Sequence, residues 1–419
     1  MKNPDFLEMF KTRDLYGLYR ELAKDGPLYS VNEKLHLVLG YDLCFAIVKK
    51  PDTFLSAVTP LEFLKETYDI RIIDAYVDYL KHHCQVLRNS CSTSDPPRHT
   101  VVRQILNPFF AKERLAELAP FVSATVRRLL GEMQRRQETD RSAPVDFVSH
   151  FSRPLPVRVI CELMDLPDLP VDKVVEWTDS IVEPFGLAVD REAALRCART
   201  LCEAQAFFRR LLEGEKDNRF VSELTRVADR VQEENGDYRL DAVDLLTILI
   251  IDFLASGNET TTSALSAGML LLALDEALFD TLSARPELVP NFTEEVLRLE
   301  SPAQGMFRKV AEDCEVLGYR FRKGDFLNLR FGAANRDERR FECPHEVVLE
   351  RKHPGRHLAF GAGRHTCVGA PLARLELNAA FGEIVRTFRS CRLACAEEEV
   401  AYQTNFFGRK ISFLPLYFS

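Results

Sequence analysis

One cysteine in the chain, Cys367, stands between a glycine-rich stretch and the start of a predicted helix. The stretch FGAGRHTCVG covers residues 360–369, and the sequence after it has helical composition with a proline in its first turn, where proline is tolerated. Backbone N–H groups at a helix N-terminus stabilise an anion, so Cys367 is well placed to be a thiolate. Three neighbouring glycines would let the backbone lie flat against a planar ligand: Gly361, Gly363 and Gly369. A thiolate ligand of haem iron fits this arrangement, although a lone cysteine is more often simply buried.

A second group of polar residues interrupts an otherwise apolar run, TILIIDFLASGNETT, at residues 247–261. On a helix of about 100° per residue, four of them fall within an arc of about 100°: Asp252, Ser256, Glu259 and Thr260. Glu259 and Thr260 supply an acid and a hydroxyl that could pass protons. Asp252 has three possible roles, because a bare carboxylate in an apolar wall is unfavourable. It could pair with a cation of a neighbouring helix, remain in pocket water, or anchor an amine or hydroxyl group of a substrate.

The elements that would carry these residues are mostly helices. Periodicity predicts helices in residues 14–25, 42–50, 113–137, 193–216 and 242–283, and strand character appears in residues 28–31, 35–40 and 320–331. The run 242–283 is apolar on nearly every face, which predicts one long, buried, central helix. No linker or repeat divides the sequence, so we expect a single domain over residues 1–419, mainly α with a small β region.

Composition restricts the classes of function. The 419 residues are 46% hydrophobic and 28% charged, as in an ordinary globular protein, and the net charge of −8 argues against a nucleic-acid partner. The charged N-terminal region offers neither a secretory signal nor a membrane anchor, so no membrane association is expected. The eleven cysteines show no metal or disulfide spacing, which indicates reduced thiols and a cytoplasmic protein.

Residues 360–369 resemble the haem-binding loop of the cytochrome P450 monooxygenases, Phe-Gly-x-Gly-x-His/Arg-x-Cys-x-Gly, and every fixed position matches. Three further motifs occur in the family's order, namely DPPRHTVVR at 95–103, SGNETT at 256–261 and EEVLRLESP at 294–302. The resemblance covers essentially the whole chain and implies the family's triangular helical prism around a buried haem b. It also implies that Cys367 is the axial iron ligand, within a loop that includes Phe360, Gly361 and Gly369.

The resemblance assigns further cofactor contacts and a structural pair. It implies that four basic side chains reach the haem propionates, namely His99, Arg103, Arg308 and His365. Gly257 would leave room for dioxygen beside the central helix, with Ser256 where Ala or Gly is more usual. Glu295 and Arg298 would form a buried structural pair behind the haem loop. The family's third member, an arginine of the later meander, falls at Glu346 by position, so the usual cluster is expected to be altered.

The function implied is insertion of one atom of O2 into a small organic molecule, with secondary metabolism as the expected setting. No flavin or iron–sulfur segment follows the loop, so electrons from NAD(P)H would arrive through a separate ferredoxin and its reductase. We expect a monomer, and a basic docking patch on the loop side formed by Lys112, Arg114, Arg356 and Arg364. Two alternatives are a peroxide-driven peroxygenase, disfavoured by the acid–alcohol pair Glu259–Thr260, and a non-catalytic haem-thiolate binding or sensor protein.

The sequence does not identify the substrate. By position in the family, the candidate contacts besides Asp252 and Ser256 are Leu87, Asn89, Ala303, Gly305, Phe406 and Phe407. Ordinary packing is the alternative role of each.

Overall fold

The computed structural model describes residues 9–58, 70–140, 142–185, 190–214, 217–236, 238–404 and 408–419, and this part of the chain is mainly helical. The helices are α1 (Leu15–Leu22), α2 (Tyr41–Val48), α3 (Ile70–His83), α4 (Arg98–Leu106), α5 (Lys112–Thr139), α6 (Pro154–Leu163), α7 (Val171–Val182), α8 (Arg191–Leu212), α9 (Arg219–Glu234), α10 (Ala242–Leu274), α11 (Glu276–Ala284), α12 (Val289–Glu300), α13 (Phe331–Ala334) and α14 (Ala370–Thr387). The expected mainly α architecture is therefore confirmed.

The strands are short and form a minor β part, as predicted. They are β1 (Leu28–Ser30), β2 (Leu35–Val38), β3 (Phe54–Leu55), β4 (Val145–Asp146), β5 (Met306–Val310), β6 (Cys314–Val316), β7 (Tyr319–Phe321), β8 (Phe326–Leu329), β9 (Cys391–Leu393), β10 (Ala401–Thr404), β11 (Arg409–Phe413) and β12 (Pro415–Phe418). The largest described sheet has the order β1-β2-β8-β5-β3, antiparallel except for the parallel pair β2 and β8. Strand β5 is important for the site because it carries Arg308, paired in register with Leu327.

Helix α10 is the central buried element that the apolar run predicts, but it is neither uniform nor as long as expected. Its N-terminus is a capping box, in which the Asp241 carboxylate accepts from the N–H of Asp244 while the Asp244 carboxylate accepts from the N–H of Asp241. Residues Ile248–Ala255 then wind as a π-helix before α-helical geometry resumes. The helix ends at Leu274 rather than at residue 283, because Asp275 leaves the helical conformation and caps α11 by accepting from the N–H of Leu278.

No single described helix is long and apolar enough to cross a membrane. The pair α10 and α11 meets the criterion by length and composition together, with a bend of 105° between the two helices.

Close packing between α10 and α14 sets the position of the cysteine loop. A Cβ built on Gly268 of α10 would lie 2.3 Å from the Phe381 ring of α14, so only glycine allows the observed approach. The Phe381 ring also contacts Phe292 of α12 edge-on, with ring centroids 5.0 Å apart. Because α14 begins directly after the loop, this packing fixes Cys367 relative to the central helix.

The expectation that the cysteines lack disulfide pairing is wrong for one pair. Cys84, next to the end of α3, is bonded to Cys202 of α8 across 118 residues of sequence. The side-chain amide of Gln205 extends this junction by accepting from the N–H of Gln85 at 3.0 Å and donating to its carbonyl at 2.8 Å. The pairing arises from the packing of two helices, and no local cysteine spacing encodes it.

Candidate active site

The candidate site is a cavity of about 250 Å³ between α10 and the loop that carries Cys367. Most of its wall is apolar, and the larger apolar side chains are those of Leu106, Phe110, Leu297, Met306, Phe331, Phe360, Leu372 and Leu377. The polar, charged or thiol-bearing residues are the minority of the whole lining: Cys91, Ser92, His99, Arg103, Asp252, Ser256, Thr260, Thr261, Arg308, His365, Cys367 and Glu376. An apolar cavity with a few converging polar groups is the usual form of a small-molecule site.

The cysteine loop is held by its own backbone. The N–H of Cys367 donates to the carbonyl of Phe360 at 2.9 Å, which closes the loop around a short 3-10 turn, Gly363–His365. Gly361 and Gly363 have φ angles of 64° and 70°, in the left-handed region that favours glycine. A Cβ on Gly363 would also lie 2.9 Å from the carbonyl oxygen of Val48. Gly361 and Gly363 are therefore required by the conformation of the loop, whereas Gly369, with a φ of −80° and 3.7 Å between a built Cβ and the nearest atom, is not.

The surroundings of Cys367 combine depth with positive potential. Burial raises the pKa of its thiol, while the N–H groups of Gly369 and Ala370 at the start of α14, together with Arg103 and Arg374, act in the opposite direction. The residue is nevertheless open to the cavity. A thiolate would be stabilised here by the helix N-terminus, as expected from the sequence, and an iron ion in the cavity would supply the missing positive charge.

Basic side chains converge on the same cavity without acidic partners. Arg308 is buried, donates to the carbonyl of Phe307 at 2.6 Å, and forms no ion pair with any described carboxylate; burial lowers its pKa to about 10. His99 and His365 lie with ring centroids 4.3 Å apart, and both ring nitrogens of His365 and Nε2 of His99 are buried without a hydrogen-bond partner. Burial and then Arg308 lower the pKa of His365 to about 3.

These unpaired donors fit the anionic propionates of a haem. Buried N–H groups without an acceptor are unfavourable, and two carboxylates between Arg308, His99 and His365 would satisfy them. Arg103 lines the cavity as well, although in this structure its guanidinium donates to the carbonyl of Thr366 and to Asn107. The residue set thus fits haem on both counts, a sulfur ligand for iron and cations for the propionates.

Behind the loop, Glu295 and Arg298 form the expected buried pair. Arg298 Nε and Nη2 donate to Glu295 at 2.8 and 2.9 Å, and both side chains are fully buried. Burial alone would raise the pKa of Glu295, but hydrogen bonds from Arg298 and Arg351 outweigh it and the pKa is lowered. The expected alteration at Glu346 is wrong, because Arg351 is the third member, with Nε 2.8 Å from Glu295. Glu346 contributes only its backbone carbonyl, 2.8 Å from Arg298.

A second ionic cluster beside the first was not predicted. Glu294 accepts from Arg374 Nε at 2.6 Å and lies 3.0 Å from Nε2 of His357. Burial opposes ionisation, yet these two partners hold the pKa of Glu294 at about 2. The guanidinium of Arg374 also lies over the ring of Phe360, 4.6 Å from its centroid. The only sequence signal was the doubled acid at 294–295, which does not reveal partners 63 and 80 residues away.

Helix α10 presents only part of the predicted polar group to the cavity. Asp252, Ser256 and Thr260 line it, whereas Glu259 points elsewhere and lies 2.8 Å from Lys410 Nζ of β11. Lys410 in turn lies 3.1 Å from Asp179 of α7. Burial raises the pKa of Glu259, and Lys410 acts against this.

Gly257 lines the cavity, but its missing side chain serves helix packing. A Cβ at this position would lie 2.9 Å from Cδ1 of Ile160 in α6. Glycine is therefore needed at this position for the contact with α6, and the room for dioxygen expected beside it stays a prediction.

The proposed substrate contacts divide into three groups. Ala303 lines the cavity. Leu87, Asn89 and Gly305 do not: Leu87 packs against the hydrophobic core, the carbonyl of Asn89 accepts from Arg98, and a Cβ on Gly305 would meet the carbonyl of Leu329 at 2.5 Å. Phe406 and Phe407 lie outside the described residues.

Several lining residues had no motif to identify them. The cavity is also contacted by Cys91, Ser92, Phe110, Met306 and Glu376. They come from four separate segments, so only the tertiary fold brings them together.

Comparison with known proteins agrees with this geometry. Residues 199–393 match the family model described as Cytochrome P450. The putative cytochrome P450 YjiB of Bacillus subtilis is 34% identical over 303 residues, which is 72% of this chain and 74% of that protein. The 6-deoxyerythronolide B hydroxylase of Saccharopolyspora erythraea is 30% identical over 409 residues, 96% of each chain.

Solved structures share the whole fold. P450BioI, crystallised with an acyl carrier protein carrying hexadec-9Z-enoic acid, has a TM-score of 0.81 at 25% identity and matches over 98% of this chain and 100% of its own. The bacillaene polyketide synthase cytochrome PksS of Bacillus subtilis has a TM-score of 0.78 at 26% identity, with 100% of both chains covered. The cysteine loop and the unpaired basic cluster fit haem, and the relatives match over most of their length. The chain therefore belongs to the cytochrome P450 family and is a haem-thiolate monooxygenase of the bacterial type.

Proposed function

We propose that this monooxygenase binds haem b through Cys367 and oxidises a polyketide-like small molecule, using electrons from NAD(P)H delivered by a separate ferredoxin and reductase. The observation that carries the cofactor assignment is the meeting of the Cys367 sulfur with unpaired basic side chains in one cavity. His99, Arg103, Arg308 and His365 would hold the propionates, and Phe360, Gly361 and Gly369 would border the ring. When bound, the haem supplies the activation of dioxygen.

The protein's own chemical contribution is to orient the substrate and to deliver protons. Thr260 lines the cavity with its hydroxyl 3.3 Å from the carbonyl of Ser256, and the adjacent Glu259 is joined through Lys410 to the partly exposed Asp179. We propose Asp179, Lys410 and Glu259 as the route by which protons reach Thr260 from the surface. A raised carboxyl pKa favours Glu259 as a carrier, because it can take up a proton nearer to neutral pH.

The substrate class is proposed from the cavity and the relatives together. The lining is largely apolar, which suits a reduced carbon skeleton. Two relatives are named for polyketide chemistry, the 6-deoxyerythronolide B hydroxylase and PksS. We further propose that the protein acts as a cytoplasmic monomer with a single domain.

The deciding experiment is the spectrum of the reduced protein with carbon monoxide. We expect the red-shifted Soret band of thiolate-ligated haem, and we expect Cys367→Ala to abolish it. Cys343→Ser, at another cysteine whose side chain is exposed, is the matched control and should keep the band. Retention of the band in Cys367→Ala would mean that another cysteine binds the iron.

A further inference from the structure

We infer that one wall of the cavity, formed by Asp252 and Ser256 and here called the acceptor wall, selects substrates that carry a hydrogen-bond donor, a hydroxyl or a cationic N–H group, on an otherwise apolar skeleton. The inference rests on the proposed function, because it takes the cavity as the substrate site, and it names the chemical feature that the substrate must have.

The hydroxyl group of the acceptor wall belongs to Ser256, and its proton is already donated to a carbonyl within the helix. Ser256 Oγ donates to the carbonyl of Ile251 at 2.8 Å, and Thr260 Oγ1, one turn further on, is 3.3 Å from the carbonyl of Ser256. Each hydroxyl has one proton and two lone pairs, so what remains for a ligand is acceptor capacity. A carbonyl or ether oxygen at this wall would find no donor from Ser256 or Thr260.

Asp252 adds a carboxylate that forms no ion pair with any described residue. Its Oδ1 accepts from the N–H of Cys91 at 2.9 Å, whereas its Oδ2 is buried without a hydrogen-bond partner. The cation that influences it, Arg98, forms its ion pair with Asp244, which also pairs with Arg88 at 2.8 Å. Of the three roles open from the sequence, an ion pair with a neighbouring helix is therefore not the one adopted.

The backbone of α10 turns this carboxylate toward the cavity. Four residues separate Asp252 from Ser256, and over four residues the chain turns about the helix axis by about 400° in an α-helix but by only about 330° in a π-helix. The π segment Ile248–Ala255 thus moves Asp252 by about 70° toward the side on which Thr260 lies. Asp252, Ser256 and Thr260 all line the cavity, which agrees with this rotation.

The remainder of the cavity strengthens the discrimination between ligands with and without a donor. Most of the cavity wall is apolar, and the neighbour that contacts Asp252 directly is Cys91, through its backbone N–H. A ligand without a donor would leave the carboxylate unpaired in this setting, and a site built for a donor discriminates strongly against analogues that lack one. A cationic donor would gain a charge-assisted hydrogen bond as well.

The test uses the holoprotein and ten-carbon probes with different head groups: decylguanidinium, decan-1-ol and decanoate. Decylguanidinium keeps its charge and does not ligate iron as a free amine would. At pH 8, above the pKa of about 7 to which burial raises Asp252, calorimetric titration should show decylguanidinium bound at least about tenfold more tightly than decanoate. Asp252→Asn, which keeps the shape and removes the charge, should reduce this preference to about threefold or less.

Two further variants make the outcome decisive. Asp252→Leu should abolish the preference for decylguanidinium and decan-1-ol over decanoate, since it removes the acceptor. Glu287→Gln, at an exposed carboxylate that does not line the cavity, should retain the wild-type preference. An equal preference in wild type and Asp252→Asn, or none in the wild type, overturns the inference when the carbon monoxide band is normal. Absence of that band in the wild type overturns the proposed function instead.

Discussion

Glu294 is a single carboxylate that joins three parts of the structure. It lies on α12, receives Arg374 from α14, and contacts His357 from the segment before the cysteine loop. The side chain is largely buried, so its ionised form is stable only while both partners are present. Loss of its charge would loosen the support directly behind Cys367.

The pKa of Glu294 predicts how stability depends on pH. The folded value of about 2 lies below the ordinary 4.5, so the folded state favours the carboxylate; the contribution is complete above pH 4.5 and is lost as pH falls toward 2. We expect Glu294→Gln to lower the free energy of unfolding by up to about 3 kcal/mol at pH 7. The deficit should shrink by about 1.4 kcal/mol per pH unit below 4.5.

Urea unfolding of the two proteins between pH 7 and pH 3.5 measures this difference. Glu287→Gln is the control, because Glu287 is an exposed residue 3.5 Å from Arg285 and should contribute less than about 1 kcal/mol. A deficit for Glu294→Gln that stayed constant across the pH range would show that the carboxylate charge is not what stabilises the fold.

Residues within one local motif were predictable, and residues that depend on distant partners were not. Cys367 and its glycines follow from a loop and a helix start that are contiguous in sequence. Arg351 was missed because the meander is irregular and position alone does not set its register against Glu295. The orientation of Glu259 was missed because Lys410, 151 residues away, pairs with it outside the cavity.

At the scale of elements, the junction between α3 and α8 is the strongest covalent constraint outside the backbone. The Cys84–Cys202 bond closes a loop of 118 residues, and the Gln85–Gln205 pair lies beside it. Cross-linking a loop of this length stabilises the folded state by as much as about 4 kcal/mol through the entropy of the unfolded chain.

We therefore expect the double substitution Cys84→Ser with Cys202→Ser to lower the free energy of unfolding by up to about 4 kcal/mol. Guanidinium unfolding followed by circular dichroism measures it. Dithiothreitol should destabilise the wild type by a similar amount and leave the double variant unchanged. If the reductant had no effect on wild-type stability, the pair would not be bonded in solution.

Helix positions were largely predictable because their apolar spacing is local, and the exceptions have local physical causes as well. Periodicity continues through residues 242–283, yet Asp275 is a better cap for α11 than a helix interior residue, and α10 ends there. The π segment within α10 has the same apolar character as an α-helix, so composition cannot distinguish the two.

For the whole molecule, the uneven placement of charge matters more than the net value of −8. Lys112 and Arg356 are exposed, whereas Arg364 pairs with Asp52 at 2.9 Å and Arg114 lies 3.7 Å from Glu223. Of the four residues predicted to form a basic patch, the first two are thus the better contacts for an acidic ferredoxin.

We expect the double substitution Lys112→Glu with Arg356→Glu to slow reduction by such a ferredoxin by about tenfold at low salt, because electrostatic attraction accelerates encounter. The difference should disappear as ionic strength rises. Arg196→Glu on α8, a helix that packs against α3 and α7, is the control and should reduce at the wild-type rate. Stopped-flow rates that did not change with salt would exclude docking at this surface.

The π turn in α10 has a consequence for how the pocket can evolve. Ser256 N–H donates to the carbonyl of Ile251, five residues earlier, so the segment accommodates more residues per turn than an α-helix. Removal of one residue between Ile248 and Ile251 would restore regular α winding as far as Ser256 and turn Asp252 by about 70° relative to Ser256, without any substitution in the acceptor wall itself. Two descendants of such a chain could carry identical pocket residues and yet accept different molecules, because a change in length, invisible to any comparison of residue types, had redirected one carboxylate.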